Sequence, residues 1–274
     1  MTVGKHWTLD DIPWDRFERS KVDPELLKVI KAAAMVEYNG GDYATYLCNV
    51  FPDDLEFKIA AKQWAGEEVQ HGLALGRWAE MADPDFGFQA SFKRFTEGYR
   101  LPLDARESVR GSRSGELVAR CIVEVGTSSY YSALGEATEE PVLRAICKNI
   151  AADEFRHYRL FYKHLKRYLD KEGVGRLQRV LVALRRIGES EDDELAYAYY
   201  AANGGDEPYD RKRWSHAYAY RAFGYYRPKH VERGIAMTFK AAGLNPQGNL
   251  ARWTSRGAYR FLKYRRQRLA AAAA

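Results

Sequence analysis

Four segments of this chain carry apolar residues at helical spacing, and each apolar stripe is broken midway by a carboxylate. In the first, Leu26, Ile30 and Ala33 lead to Gly41, Ala44, Cys48 and Phe51, with Glu37 in the gap. In the second, Ala60 and Trp64 lead to Leu75 and Trp78 across Glu68 and His71. In the third, Leu117 and Cys121 lead to Ser128 and Tyr131 across Glu124. In the fourth, Leu143, Ile146 and Ile150 lead to Phe161, Leu165 and Tyr168 across Glu154 and His157. Such a stripe is the face that a helix buries. Four acids and two histidines are therefore read as converging on one core, where each would be costly if left unpaired.

The spacing says what could pair them. Glu and His at i and i+3 lie about 60° apart around a helix and roughly 4.5 Å along it, so both can face one centre. One Glu from each of two helices and Glu-x-x-His from each of two others is a ligand set for two iron or manganese ions. Glu37 and Glu68 are 31 residues apart and Glu124 and Glu154 are 30 apart, so the two helix pairs form similar halves. The alternative is a buried charge network without metal. Glu67 and Asp153 directly precede two of these acids. Each either is a helix-surface acid or accepts the outer ring N–H of a histidine on the other helix, Glu67 from His157 and Asp153 from His71, which would fix the tautomer.

Helix signals set the organisation. Asp23-Pro24 opens one long helix that ends near Phe51-Pro52, and Asp53-Asp54 caps a second that runs to about Met81. A third spans about Ser114 to Thr138, and Pro141 opens a fourth that lasts to about Lys171. A connection of about thirty residues, with a short helix around Gln89–Tyr99, joins the second and third. The expected fold is all-α: a ferritin-like four-helix bundle over 22–172, with a long crossover between its second and third helices. An N-terminal segment, 1–21, precedes it. A basic, aromatic helical extension, 173–274, follows, with helices near 176–187, 193–202, 209–226, 229–242 and 250–268.

Charge divides along the same line. The 274 residues carry a net +6, but from Arg211 onward there are 15 Lys/Arg against one acid, Glu232, or +14. Residues 1–210 hold 28 Lys/Arg against 36 Asp/Glu, or −8. A basic final quarter suits an acidic partner, whether nucleic acid, a membrane surface or a protein, or is simply a solvated face. Aromatic content of 14% argues against disorder. No run of apolar residues reaches membrane-spanning length, and Met1 to Asp11 lacks the apolar stretch of a signal peptide. Cys48, Cys121 and Cys147 are too scattered for a disulfide framework or a zinc knuckle. A cytoplasmic protein is expected. His216 and His230, among tyrosines and arginines, read as ordinary packing or surface residues.

The segment Ile146-Cys-Lys-Asn-Ile-Ala-Ala-Asp-Glu-Phe-Arg-His157 resembles the second Glu-x-x-His helix of the soluble acyl-carrier-protein desaturases. Trp64-Ala-Gly-Glu-Glu-Val-Gln-His-Gly72 is similar to the first. The resemblance covers roughly residues 22–170. It implies Glu37, Glu68, His71, Glu124, Glu154 and His157 as ligands of two iron ions, with manganese as the alternative. Trp64 and Tyr43 match family positions beside the ligands. Thr127 falls where these enzymes carry a threonine associated with oxygen activation. This chain departs from the pattern in its shorter first interhelical spacing and in Gly40-Gly41, which replaces bulkier residues and opens space beside the first ligand. Nothing after residue 175 aligns.

The implied activity is O₂-dependent oxidation of an unactivated C–H bond in an acyl-type substrate, by desaturation or hydroxylation. Such a substrate calls for a deep, narrow, apolar channel ending at the metals. The chain has no flavin or iron–sulfur motif, so electrons would come from a ferredoxin-type donor. That donor and acyl carrier protein are both acidic, and either could dock on the basic extension. A homodimer is a further expectation. Two other readings remain: a di-iron hydroxylase of another substrate such as tRNA, and a non-catalytic iron-binding protein of ferritin type. For tRNA, Tyr218, Tyr220, Tyr225 and Tyr226 would stack bases between Arg213, Arg221 and Arg227. Aromatics at helical spacing more often form core, which counts against nucleic acid as the partner.

Overall fold

Helix starts follow local capping chemistry. A computed structural model of the chain describes residues 6–189, 193–205 and 207–273. Residues 1–5 of the N-terminal segment lie outside the described residues. The Asp23 carboxylate accepts from the Glu25 and Leu26 amides and opens α1 (Pro24–Tyr38). Asp54 accepts from Phe57 N at the start of α3 (Leu55–Ala82). Ser112 accepts from Gly115 N ahead of α5 (Arg113–Ala137). Glu140, wholly buried, accepts from Val142 N, Leu143 N and the Trp78 indole at the start of α6 (Pro141–Glu172). Gly173, at φ 65°, ends α6 in the left-handed conformation that glycine adopts without penalty.

The first long helix is not continuous. It stops at Asn39 and resumes as α2 (Gly40–Val50). A Cβ on Gly40 would lie 2.6 Å from Glu68 Cβ and 3.2 Å from the Ala65 carbonyl. The approach of α2 to α3 is thus closer than a continuous helix bearing a side chain there would permit. Two adjacent glycines, poor helix formers, leave the axis free to shift at this point.

Among the described residues the fold is all-α. Helix α1 and then α2 pack along α3, α5 packs along α6, and α3 packs on α6. Tyr38 meets Gly72 while Gly40 meets Glu68, so α1–α2 and α3 are antiparallel. Ser128 meets Ala151 while Gly135 meets Cys147, and His71 meets Asp153 while Glu67 meets His157. Helices α5 and α3 are therefore both antiparallel to α6 and parallel to each other. Parallel neighbours cannot be joined by a tight turn, which is why residues 83–112, with α4 (Phe88–Gly98) within them, separate α3 from α5.

The final third wraps this assembly. It comprises α7 (Arg176–Gly188), α8 (Asp193–Asn203), α9 (Arg211–Tyr225), α10 (Pro228–Ala242) and α11 (Asn249–Ala273). Helix α8 packs on α1, α7 and α10 on α5, and α9 and α10 carry α11. Ala198, Tyr199, Trp214 and Ala222 join the same apolar cluster as Ile30, Leu75 and Ile146. Tyrosines of α9 and of its C-terminal cap contribute to that packing: the cap residue Tyr226 stacks on Tyr130, and Tyr218 meets Tyr199 edge-on. No helix among the described residues is long and apolar enough to cross a membrane.

Helix α3 meets α1 at Gly72, where a Cβ would fall 2.5 Å from the Tyr38 amide nitrogen. Gly72→Ala should therefore destabilise the protein by about 1–3 kcal/mol, read as a lowered midpoint in urea unfolding.

Candidate metal centre

The six polar residues that interrupt the stripes come together. Glu37, Glu68, His71 and Glu154 form one group, and Glu68, Glu124, Glu154 and His157 a second. Within each group one donor atom per residue lies within 4.8 Å of every other, and all six residues are buried. Glu68 and Glu154 belong to both groups. The two groups thus adjoin and have two carboxylates in common. His71 Nδ1 lies 3.5 Å from Glu37, 3.4 Å from Glu68 and 3.3 Å from Glu154. His157 Nδ1 lies 3.0 Å from Glu68 and 3.6 Å from Glu124.

The donor atoms facing inward lie near one another but in no hydrogen-bond geometry. Glu68 Oε1, His71 Nδ1, both Glu124 oxygens, Glu154 Oε1 and His157 Nδ1 are buried without a hydrogen bond. Buried polar atoms are ordinarily paired, and an orphaned cluster of oxygens and imidazole nitrogens suits divalent cations of the iron and manganese type. The residues present therefore fit a pair of such ions.

Both histidines are turned inward by the acids that precede the shared ligands. His71 Nε2 lies 3.0 Å from Asp153 Oδ2, and His157 Nε2 lies 2.8 Å from Glu67 Oε2. With Nε2–H donating outward, a neutral ring would turn the lone pair of Nδ1 toward the carboxylates. Arg156 Nη2 donates to Asp153 at 2.5 Å and to Glu67 at 3.2 Å, tying the two acids together. Trp64 is edge-on to His157 at 6.5 Å between ring centroids. The Thr127 hydroxyl donates to Glu154 Oε2 at 2.5 Å.

Tyr43 lies elsewhere. Its hydroxyl donates to Glu194 at 2.6 Å, and its ring faces the Arg120 guanidinium. The break at Asn39 redirects α2, and the position that family spacing puts beside the ligands faces α8 instead. Other contacts to the cluster were not foreseen. The Tyr131 hydroxyl donates to Glu37 Oε1 at 2.6 Å. Tyr131 stands seven residues after Glu124, on the same helical face, so periodicity could have singled it out. The Trp7 indole donates to Asp153 at 2.7 Å and stacks parallel to His71, while His6 Nε2 lies 2.9 Å from the same carboxylate oxygen. No local pattern connects the N-terminal segment with α6.

Two cavities flank α2. One, of about 410 Å³, is an open groove between α2 and α3, lined by Gly41, Ala44, Thr45, Cys48, Asn49, Lys62 and Ala65. The other, of about 170 Å³, is polar, with Tyr43, Tyr46, Arg110, Glu116, Arg120 and Glu194 in its wall. Neither is the deep, narrow, apolar channel expected for a long acyl chain. The shift of α2 at Gly40-Gly41 opens space along the helix surface rather than down the bundle axis. No protein-family model matches the chain, and no curated protein matches it.

Electrostatics show what the cluster lacks without cations. Burial and the neighbouring Glu68 carboxylate push Glu37 up to about 8. Burial and Glu154 push Glu124 well above the carboxylate range. Burial opposes charge on His71 and His157, but the carboxylates ranged around each ring outweigh it and raise both. Burial would raise Asp153, yet hydrogen bonds from His71, Arg156 and Trp7 hold it well below the usual range.

Between the ordinary carboxylate value and about 8, the folded metal-free protein holds a proton on Glu37 that the unfolded chain has released. Its stability should therefore fall as pH rises through that window, while stabilisation by added Mn²⁺ or Fe²⁺ grows over the same range. Melting temperatures with and without metal will show the two trends diverging. Glu67→Ala, which frees the outer nitrogen of His157, should weaken metal binding by about 10–100-fold in calorimetric titration.

Proposed function

We propose that the protein is a ferritin-like di-iron oxidoreductase that uses O₂ and external electrons to oxidise a C–H bond. The observation that carries this reading is the pair of four-ligand groups sharing Glu68 and Glu154, with their inward donor atoms unpartnered. Glu37, Glu68 and His71 would hold one ion, Glu124 and His157 the other, and Glu154 would complete both sites with Glu68. Iron bound there supplies the capacity to reduce O₂ and to remove hydrogen from an unactivated carbon.

The chain's own residues supply position and protons. Asp153 and Glu67 hold the imidazoles in the ligating tautomer, and Arg156 keeps those two acids in register. Thr127 holds a proton at Glu154 Oε2 and Tyr131 holds one at Glu37 Oε1, on two different ligand carboxylates. Trp7, half-buried and stacked on His71, provides an aromatic contact between the ligand shell and the N-terminal surface, where an electron donor of ferredoxin type could approach. The α2–α3 groove, lined in part by Gly41, Ala44 and Ala65, lies within one helical turn of Glu68 along α3 and would have room for a short acyl group. Resemblance to the acyl-carrier-protein desaturases supports the acyl substrate. The polar cavity at Arg120 favours a second reading, hydroxylation of a more polar molecule.

Metal analysis after anaerobic loading should give about two iron ions per chain. Glu68→Ala and Glu154→Ala should each disrupt both sites together, because these carboxylates are shared. Binding of two ions unchanged by either substitution would refute the site. With O₂, a ferredoxin system and acyl substrates, mass spectrometry separates loss of two hydrogens from gain of one oxygen. Thr127→Val should retain both ions but form product at least about tenfold more slowly.

A further inference from the structure

Exposed apolar side chains on this molecule are concentrated on two helices. Of the twelve large apolar residues that stand exposed among the described residues, eight lie on α7 and α11. Leu177, Leu181, Leu184 and Ile187 recur at helical spacing along α7, with Leu177 75% and Leu184 60% exposed, while Val182 and Ala183 face inward. On α11, Leu250, Trp253, Phe261 and Tyr264 form a second stripe, with Trp253 67% exposed. Ala251, Ser255 and Leu269 form the buried side of that helix.

The same two helices carry 11 Lys/Arg and no acid. Both pack against α10. The Arg179 guanidinium in the first turn of α7 lies against Gly243, which ends α10 just ahead of α11. The first turn of α7 therefore lies beside the end of α10, the helix on which α11 also packs. Solvent-facing apolar stripes edged by arginine are costly to leave in water and unnecessary for the packing beneath them.

We infer that α7 and α11 form a docking face for an anionic phospholipid surface, on which the protein lies without spanning the bilayer. The leucines and Phe261 enter the boundary of the acyl chains. Trp253 and Tyr264 sit at headgroup level, and Arg256, Arg260 and Lys263 meet the phosphates while their methylene stems cover apolar surface. A second copy of this face is excluded as occupant by its own charge, since two surfaces of one sign repel. Nucleic acid would leave the aliphatic stripe of α7 in water, with no ring on it to stack a base. A bilayer supplies negative charge above an apolar layer, in the arrangement that these helices present. This inference does not depend on the metal centre.

Vesicle flotation of the intact protein tests it, using phosphatidylcholine vesicles with and without phosphatidylglycerol. The protein should float with the anionic vesicles alone, and added salt should weaken binding. Leu181→Ser/Leu184→Ser with Trp253→Ser/Phe261→Ser should lower the apparent affinity at least about tenfold, as should Arg256→Gln/Arg260→Gln/Lys263→Gln. All substituted positions are exposed, and circular dichroism checks that the variants stay folded. Independently, Trp253 fluorescence, taken as the difference between the protein and Trp253→Phe, should shift to the blue on anionic vesicles. Failure to bind anionic vesicles, equal binding to phosphatidylcholine, or affinity unchanged by the serine substitutions would overturn the proposal. So would tighter binding to RNA or to an acidic protein that depends on the arginines but not on the apolar stripe.

Discussion

Four carboxylates and two imidazoles occupy positions where a helical bundle ordinarily places aliphatic side chains, and the surrounding structure is arranged around the cost of keeping them there. Buried charge is tolerated when each group finds a partner. Here the outer atoms are satisfied by protein and the inner atoms by nothing in the protein. Asp153 and Glu67 take the outward imidazole nitrogens, Thr127 and Tyr131 take outward carboxylate oxygens, and Arg156 offsets the charge of the two supporting acids. What remains is a row of unpartnered oxygens and nitrogens facing one another across the bundle. Protons can occupy such a space, as the raised Glu37 and Glu124 carboxyls show, whereas a pair of divalent cations, as proposed, would answer all six groups at once.

Helix packing serves this arrangement directly. Gly72 lets α1 close on α3 directly after His71, and Gly40 lets α2 close on Glu68 itself. Both glycines therefore act through distance, since a methyl group at either place would push a ligand-bearing helix outward. The parallel run of α3 and α5, forced by their common antiparallel partner α6, brings Glu68 and Glu124 to the same level of the bundle. The later helices close over the outside: α8 covers α1, and α7 and α10 cover α5. Much of the extension is thus packing material, and its tyrosines are engaged there. Its basic and apolar outer face, on α7 and α11, has no role in that packing.

Much of the candidate site was legible in the chain because helical period carries the necessary information. A polar residue at a position reserved for the core is conspicuous, and four of them at matched separations are more so. Capping residues likewise located helix starts, as at Asp23, Asp54 and the Pro141 turn, because that chemistry acts over three or four residues. The pairing of Glu67 with His157 and Asp153 with His71 follows from the same geometry, each acid lying beside a shared ligand on the facing helix.

The sequence by itself determined which side chains face inward, where helices begin, and that acids and imidazoles interrupt the inner face. Those properties are local, set by periods of three to four residues. Only the tertiary structure decided that the first helix breaks at Asn39 and that Tyr43 turns to Glu194. Only there do Trp7 and His6 meet Asp153, some 146 residues away along the chain. Each of these depends on the distance between helix surfaces or on the path of an irregular segment. Neither leaves a periodic trace in the chain.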